Sequence, residues 1–278
     1  AGGEASAQAD GGGGGGGEEA QGAVWHVVTA DGCCKGNPGP AAQGAVLYDP
    51  RGWARCVRHS FSPGTHTNNE SEYLAVDAAL SLAEEELLGA AEGDGGNGGG
   101  GPGDGIRLLV VGDSQVILRQ LDGRYKIRGA ELNALRARVR TREARFGDVR
   151  YAHVRREWNA RADRASNAAL DEFSGSAEAM RRDTRVDTES EMRDRSLRLE
   201  LPDDMEQENP AAAEAIAALR VAYAEAEGAE EVAERRPDSR GSDDGAVAAA
   251  AAAVEQIAKE LVDIEKKVAT VRRKLMGA

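Results

Sequence analysis

Four carboxylates stand where the chain's elements begin or end. Asp31 closes a β-branched run, Val24–Ala30 (VWHVVTA), and Glu72 falls in the first turn of a helix. Asp113 follows the apolar run Ile106–Val111 (IRLLVV), and Asp163 lies near the start of a later helix. Open α/β sheets bind ligands beyond strand ends, so acids far apart in sequence can converge there. Four close carboxylates repel one another unless cations neutralise them. Hard oxygen donors favour Mg²⁺, with Mn²⁺ as the other candidate. Taken singly, each acid is an ordinary cap or solvated charge; the joint placement is what points to metal-dependent chemistry. Glu70 is two residues from Glu72, cannot share its helix face, and reads as a solvent-facing acid.

The elements that must position these acids are legible from pattern. Three strands are expected first: Val24–Ala30, Gln43–Tyr48 and Trp53–Phe61, the last two joined by the turn Asp49-Pro50-Arg51-Gly52. Gly36-Asn37-Pro38-Gly39-Pro40 is a dense turn signal. Asn68 and Asn69 are expected to cap a helix reaching about Leu88. After a Gly-rich insertion, Gly89–Gly105, come a doubly buried strand at Ile106–Val111 and a short helix to Leu121. An Arg-rich helix at Glu131–Phe146, a strand at Val149–Val154 and a helix at Asn159–Phe173 complete the segment. The order predicts an α/β fold: a mixed five-stranded sheet, its first three strands antiparallel, flanked by helices.

Four motifs occur in order: Asp31-Gly-Cys-Cys-Lys-Gly-Asn-Pro-Gly-Pro, Thr67-Asn-Asn-Glu-Ser-Glu72-Tyr, Asp113-Ser-Gln115 and Asn159-Ala-Arg-Ala-Asp163. Together they resemble the motifs of type 1 ribonuclease H, over roughly Val24–Phe173. Leu121-Asp-Gly-Arg-Tyr-Lys is similar to a segment of that family's bacterial and plant-like members. The resemblance implies a ribonuclease H-like fold and hydrolysis of the RNA strand of RNA/DNA hybrids. It implies two divalent cations held by Asp31, Glu72, Asp113 and Asp163, one activating water and the other stabilising the leaving 3′-oxygen, roughly 4 Å apart. It also implies minor-groove contacts from Cys34, Asn37, Asn69 and Gln115, a DNA-phosphate contact from Thr67, and a substrate-side role for Asn159. Amide side chains suit a 2′-hydroxyl, which donates and accepts. Where many members carry a mobile His, this sequence has Arg155-Arg156-Glu157-Trp158, which bears on turnover rather than on activity itself. The rival expectation is a non-catalytic nucleic-acid-binding module of the same fold.

Composition limits what surrounds this segment. With 35 glycines and 4% aromatics in 278 residues, the whole length cannot be one ordinary core. No run of 18 apolar residues occurs, which excludes a transmembrane helix. Residues 1–22 are expected to be disordered, 23–174 to form the catalytic domain with a flexible loop at 89–105, and 175–209 to be a charged linker. The net charge of −13 resides almost wholly outside Val24–Phe173. Inside it, Arg124–Arg164 is strongly basic and a candidate for phosphate contacts. Cys33, Cys34 and Cys56, an odd count without metal-ligand spacing, point to an intracellular, reducing compartment. Residues 210–278 are expected to form a helical hairpin or coiled coil. Val247, Ala250, Val254, Ile257, Leu261, Ile264, Val268, Val271 and Leu275 repeat as a heptad seam. Its partner is either Ile216, Leu219, Tyr223 and Ala226 on a helix capped by Asn209, or a helix of another chain, by self-association through 246–276.

Overall fold

The computed structural model describes residues 24–89, 105–186 and 197–234. The Gly-rich start, nearly all of the Gly-rich insertion and the 246–276 seam lie outside the described residues. The chain divides into two compact units, Ala1–Glu227 and Gly228–Ala278. Of the second, only 228–234, the end of a helix, is described.

Strands β1 (Val24–Cys34), β2 (Gly39–Tyr48) and β3 (Ala54–His66) form an antiparallel meander. Helix α1 (Asn68–Ala83) runs into a π-turn at Glu84–Leu88. Then come β4 (Ile106–Gly112), α2 (Gln115–Leu121), α3 (Ala130–Glu143), β5 (Asp148–His153), a 3₁₀ turn at Arg156–Asn159 and α4 (Ala160–Phe173). Beyond these lie β6 (Met180–Arg185), a single turn α5 (Met205–Glu208) and α6 (Ala213–Glu234). The sheet order is β5-β4-β1-β2-β3-β6, with β1, β4 and β5 parallel.

Three expectations need correction here. Among the described residues the sheet has six strands, not five, because part of the expected 175–209 linker is β6, paired antiparallel to β3. Arg58 on β3, a buried charge that needs partners, joins the two strands. Its guanidinium donates to Asp183 of β6 at 2.7 and 2.9 Å and to Glu85 at 2.8 Å. The cap of α1 is Thr67, not Asn68 or Asn69: its hydroxyl accepts from the Glu70 amide, and the Glu70 carboxylate accepts from the Thr67 amide at 2.7 Å. Glu70 is the first-turn acid expected, and it is also half of a capping box. Finally, Ile216, Leu219 and Tyr223 do not await a coiled-coil partner; they are buried on the sheet.

That burial explains how both sheet faces are covered. Side chains alternate along a strand, so Val28, Leu108 and Val110 pack beneath α1 with Leu80, Val139 and Tyr151. Val27, Leu109 and Val111 face the other way and meet Leu199, Met205, Ile216, Leu219 and Tyr223 of the C-terminal segment. Helix α4 lies beside them over β2, where Ala42, Phe61 and Ala169 form a smaller cluster. No described helix is long and apolar enough to cross a membrane.

Candidate active site

The site is built around β1. Asp31 pairs across the ladder with Gly44 of β2, and both neighbouring helices press close at that point. A Cβ on Gly44 would stand 2.2 Å from the Ala162 carbonyl oxygen and 2.5 Å from the Ser166 amide nitrogen. A Cβ on Gly32 would stand 2.3 Å from the Ser71 carbonyl oxygen and 2.7 Å from the Glu72 amide nitrogen. Glycine at both positions thus lets α4 and α1 deliver their acids to Asp31. Asp113 arrives from the end of β4, which runs parallel to β1 and so ends on the same side of the sheet.

Asp31, Glu72 and Asp113 each offer a carboxylate oxygen, and the three lie within 4.8 Å of one another. Asp163 is outside that trio and is held by the Arg156 guanidinium. The Ser166 hydroxyl donates to Asp31. Asn159 donates to the Ala30 carbonyl at 2.9 Å and to Asp113 at 3.4 Å.

Burial and the neighbouring charges shift two of these acids, Asp31 and Glu72. Burial, only partly offset by the Ser166 hydrogen bond, raises the Asp31 pKa to about 6; Asp113 and Asp163 push the same way. Burial, then the charges of Asp31 and Asp113, raise Glu72 to about 9. Arg156 opposes both shifts. A set of hard oxygen donors in which two carboxyl pKa values are raised for want of positive charge fits a divalent cation.

No family model matches the chain. Ribonuclease HI of Halobacterium salinarum is 37% identical over 142 residues, which are 51% of this chain and 62% of that protein. The bifunctional protein Rv2228c of Mycobacterium tuberculosis is 32% identical over 153 residues, 55% of this chain. The match spans only 37% of Rv2228c, so the chain covers a little over a third of that relative. Among solved structures, the crystal structure of RNase H1 from Halobacterium salinarum is 34% identical, with a TM-score of 0.45. It is matched over 53% of this chain and 98% of its own. This chain belongs to the ribonuclease H family. LC11-RNase H1, isolated from compost by a metagenomic approach and solved in complex with an RNA/DNA hybrid, is 29% identical. That match covers 54% of this chain and 99% of LC11, with a TM-score of 0.45.

Around the acids of this ribonuclease H domain, the residues expected on the substrate side separate into two groups. Asn37, Thr67 and Asn69 line one cleft of about 520 Å³, together with Arg128 and Gly129. Within it, the Asn37 side chain accepts from the Asn68 amide at 3.2 Å, tying the β1–β2 turn to the start of α1. Gln115 is exposed at the start of α2, and the partly buried Cys34 thiol donates to the His66 carbonyl. Asn159 departs from expectation. It is 1% exposed, with Nδ2 donating to Ala30 and Asp113 and its buried Oδ1 without a hydrogen-bond partner, so it holds the acids from behind.

The basic stretch is corrected in part. Arg138 and Arg142 of α3 pair with the buried Asp77 of α1, and Arg142, with Arg145 just past α3, pairs with Glu84 at the start of the π-turn. Those arginines fasten α3 to α1. Sequence reasoning missed Ser166, Gly32 and Gly44. The two glycines carry a signal, since each lies within one residue of Asp31 or of its ladder partner.

Proposed function

We propose that the chain hydrolyses the RNA strand of RNA/DNA hybrids, assisted by two divalent cations. The observation that carries this reading is the convergence of Asp31, Glu72 and Asp113 from β1, α1 and β4 within 4.8 Å, in a chain of the ribonuclease H family. The hybrid bound to LC11-RNase H1 supports the choice of substrate. The trio would hold the cations, with Asp163 joining once it leaves Arg156. When bound, the cations supply a nucleophilic water and charge neutralisation at the leaving oxygen.

The chain's own residues position and orient. Asn159 fixes Asp113 against β1, and Ser166 holds Asp31 in the carboxylate form that binds a cation. The cleft of Asn37, Thr67 and Asn69 receives the duplex, with Arg128 beside it for phosphate. No nucleophilic side chain is required; electrostatic positioning carries the chemistry. Three free thiols, Cys33, Cys34 and Cys56, support a reducing intracellular compartment. Self-association through 246–276 is a further part of this reading, checked by the mass of the full chain in solution.

The deciding experiment is cleavage of a labelled RNA/DNA hybrid with Mg²⁺ or Mn²⁺, beside Asp113→Asn and an EDTA control. RNA-strand cutting abolished in both controls establishes the activity. Hybrid binding without cutting, in either metal, establishes the non-catalytic binding module instead.

A further inference from the structure

The C-terminal segment does more than cover the sheet: it grips the strand that leads into the catalytic loop. Among the described residues β5 is an edge strand, so alternate backbone groups along it face no described strand. At its last residue the vacancy is filled by a side chain. Asn209 Oδ1 accepts from the His153 amide at 2.7 Å, and Asn209 Nδ2 donates to the His153 carbonyl at 2.9 Å. This is the pair of bonds that the facing residue of an added antiparallel strand would make. Asn209 is itself fixed, 7% exposed, with Nδ2 also donating to the Met205 carbonyl at 3.0 Å and its own carbonyl accepting from the Ala212 amide at 2.9 Å. Met205, Ala212 and Ile216 are buried against the sheet, so the grip has a rigid base. Two residues past His153, Arg155 donates to Asp204 at 3.1 Å. Next come Arg156, which holds Asp163, and Asn159, which holds Asp113 and the strand of Asp31.

We propose that Asn209, supported by Asp204, is a positioning residue for hybrid cleavage. By fixing both backbone groups of His153, it sets the path of Val154–Trp158 and thereby the places of Arg156 and Asn159 at the acids. This rests on the ribonuclease reading above. The matched solved structures are covered almost entirely by 53–54% of this chain, whereas the grip joins the sheet to a segment far beyond the fourth motif. It couples the C-terminal segment to catalysis through hydrogen bonds rather than through substrate contact.

The test uses the full chain, a labelled hybrid and Mg²⁺. Asn209→Ala is compared with Asp204→Arg, with the reversed pair Asp204→Arg plus Arg155→Asp, and with Leu219→Ala, which loosens the apolar packing of α6 and Val154 while removing none of the hydrogen bonds to His153 or Arg155. Hydrogen–deuterium exchange is followed at 153–158 and along β1. Asn209→Ala is expected to lower kcat about tenfold with KM within about twofold, since small misplacements of catalytic groups have such effects. Its loop amides are expected to exchange faster while those of β1 do not. Asp204→Arg is expected to act in the same direction, and the reversed pair to recover most of its loss. Asp204 is half exposed, so its variants fold even if Asn209→Ala does not. The proposal is overturned if both single variants keep the parent's kcat, whatever the loop exchange does. It is equally overturned if Leu219→Ala lowers kcat as much as Asn209→Ala. If the parent chain cuts no hybrid, the ribonuclease reading fails separately, and unchanged loop exchange in Asn209→Ala would remove the grip as well.

Discussion

Glu72 and Asp31 titrate far from where a free carboxyl does, and the direction has a consequence for stability. With folded-state pKa values of about 9 and about 6, against roughly 4 in an unfolded chain, the native state binds more protons than the unfolded one between those limits. Stability in EDTA is therefore greatest below about pH 4 in this contribution, and it declines as pH rises through about 6 and then 9. The expected outcome is a melting temperature that falls from pH 5 to pH 9 in EDTA. The fall should be smaller in Glu72→Gln and largely removed by Mg²⁺. Thermal melts across that range check it. Ser166 acts on the same carboxyl from the other side. Its hydrogen bond lowers the Asp31 pKa, so Ser166→Ala should move the acidic limb of the pH–rate profile upward, as read from kcat/KM against pH.

At the level of elements, the close packing of α4 on β2 depends on a missing side chain. Gly44→Ala would drive a methyl into the Ala162 carbonyl and the Ser166 amide, backbone that cannot swing aside. The expected cost is about 1–3 kcal/mol of stability, read by urea unfolding. Activity should fall further than stability alone explains, since Ser166 and Asp163 ride on the displaced helix. The strands and helices around these glycines were legible because each carries its own period: IRLLVV alternates between two apolar faces, and α1 opens on a capping motif. What pattern cannot show is a side chain answering a distant one. Thr67 took the cap from Asn68 and Asn69 because Glu70 reciprocates. β6, whose residues are all exposed, carries no alternating apolar pattern; what ties it to β3 besides the ladder is Asp183, which pairs with Arg58 more than a hundred residues earlier. The acids were readable because their motifs stand in a fixed order. The second layer, Ser166 and the inward turn of Asn159, depends on packing that no local spacing records.

For the whole molecule, the boundary expected near residue 174 is not where the fold closes. Trp25, Val27, Val46, Leu109 and Val111 have their apolar cover in Leu199, Met205, Ile216 and Leu219. A chain ending at Ser174 would bare that face, and exposed patches of this kind drive aggregation. The expected outcome is a truncated protein that binds a hydrophobic dye strongly and melts well below the full chain, or does not stay in solution. Equal melting of the two would show that the cover is dispensable. The heptad pattern misled at Ile216, Leu219 and Tyr223 because a helix stripe reads alike whether it faces another helix or a sheet.

The cover also imposes an order in time. All four acids have been synthesised once Asp163 has emerged from the ribosome, yet the far side of the sheet is still bare and His153 still lacks Asn209. Several dozen more residues must follow before Tyr223 can close over the sheet. On the reading proposed above, a nascent chain would hold every acid of the site before it could hold them still.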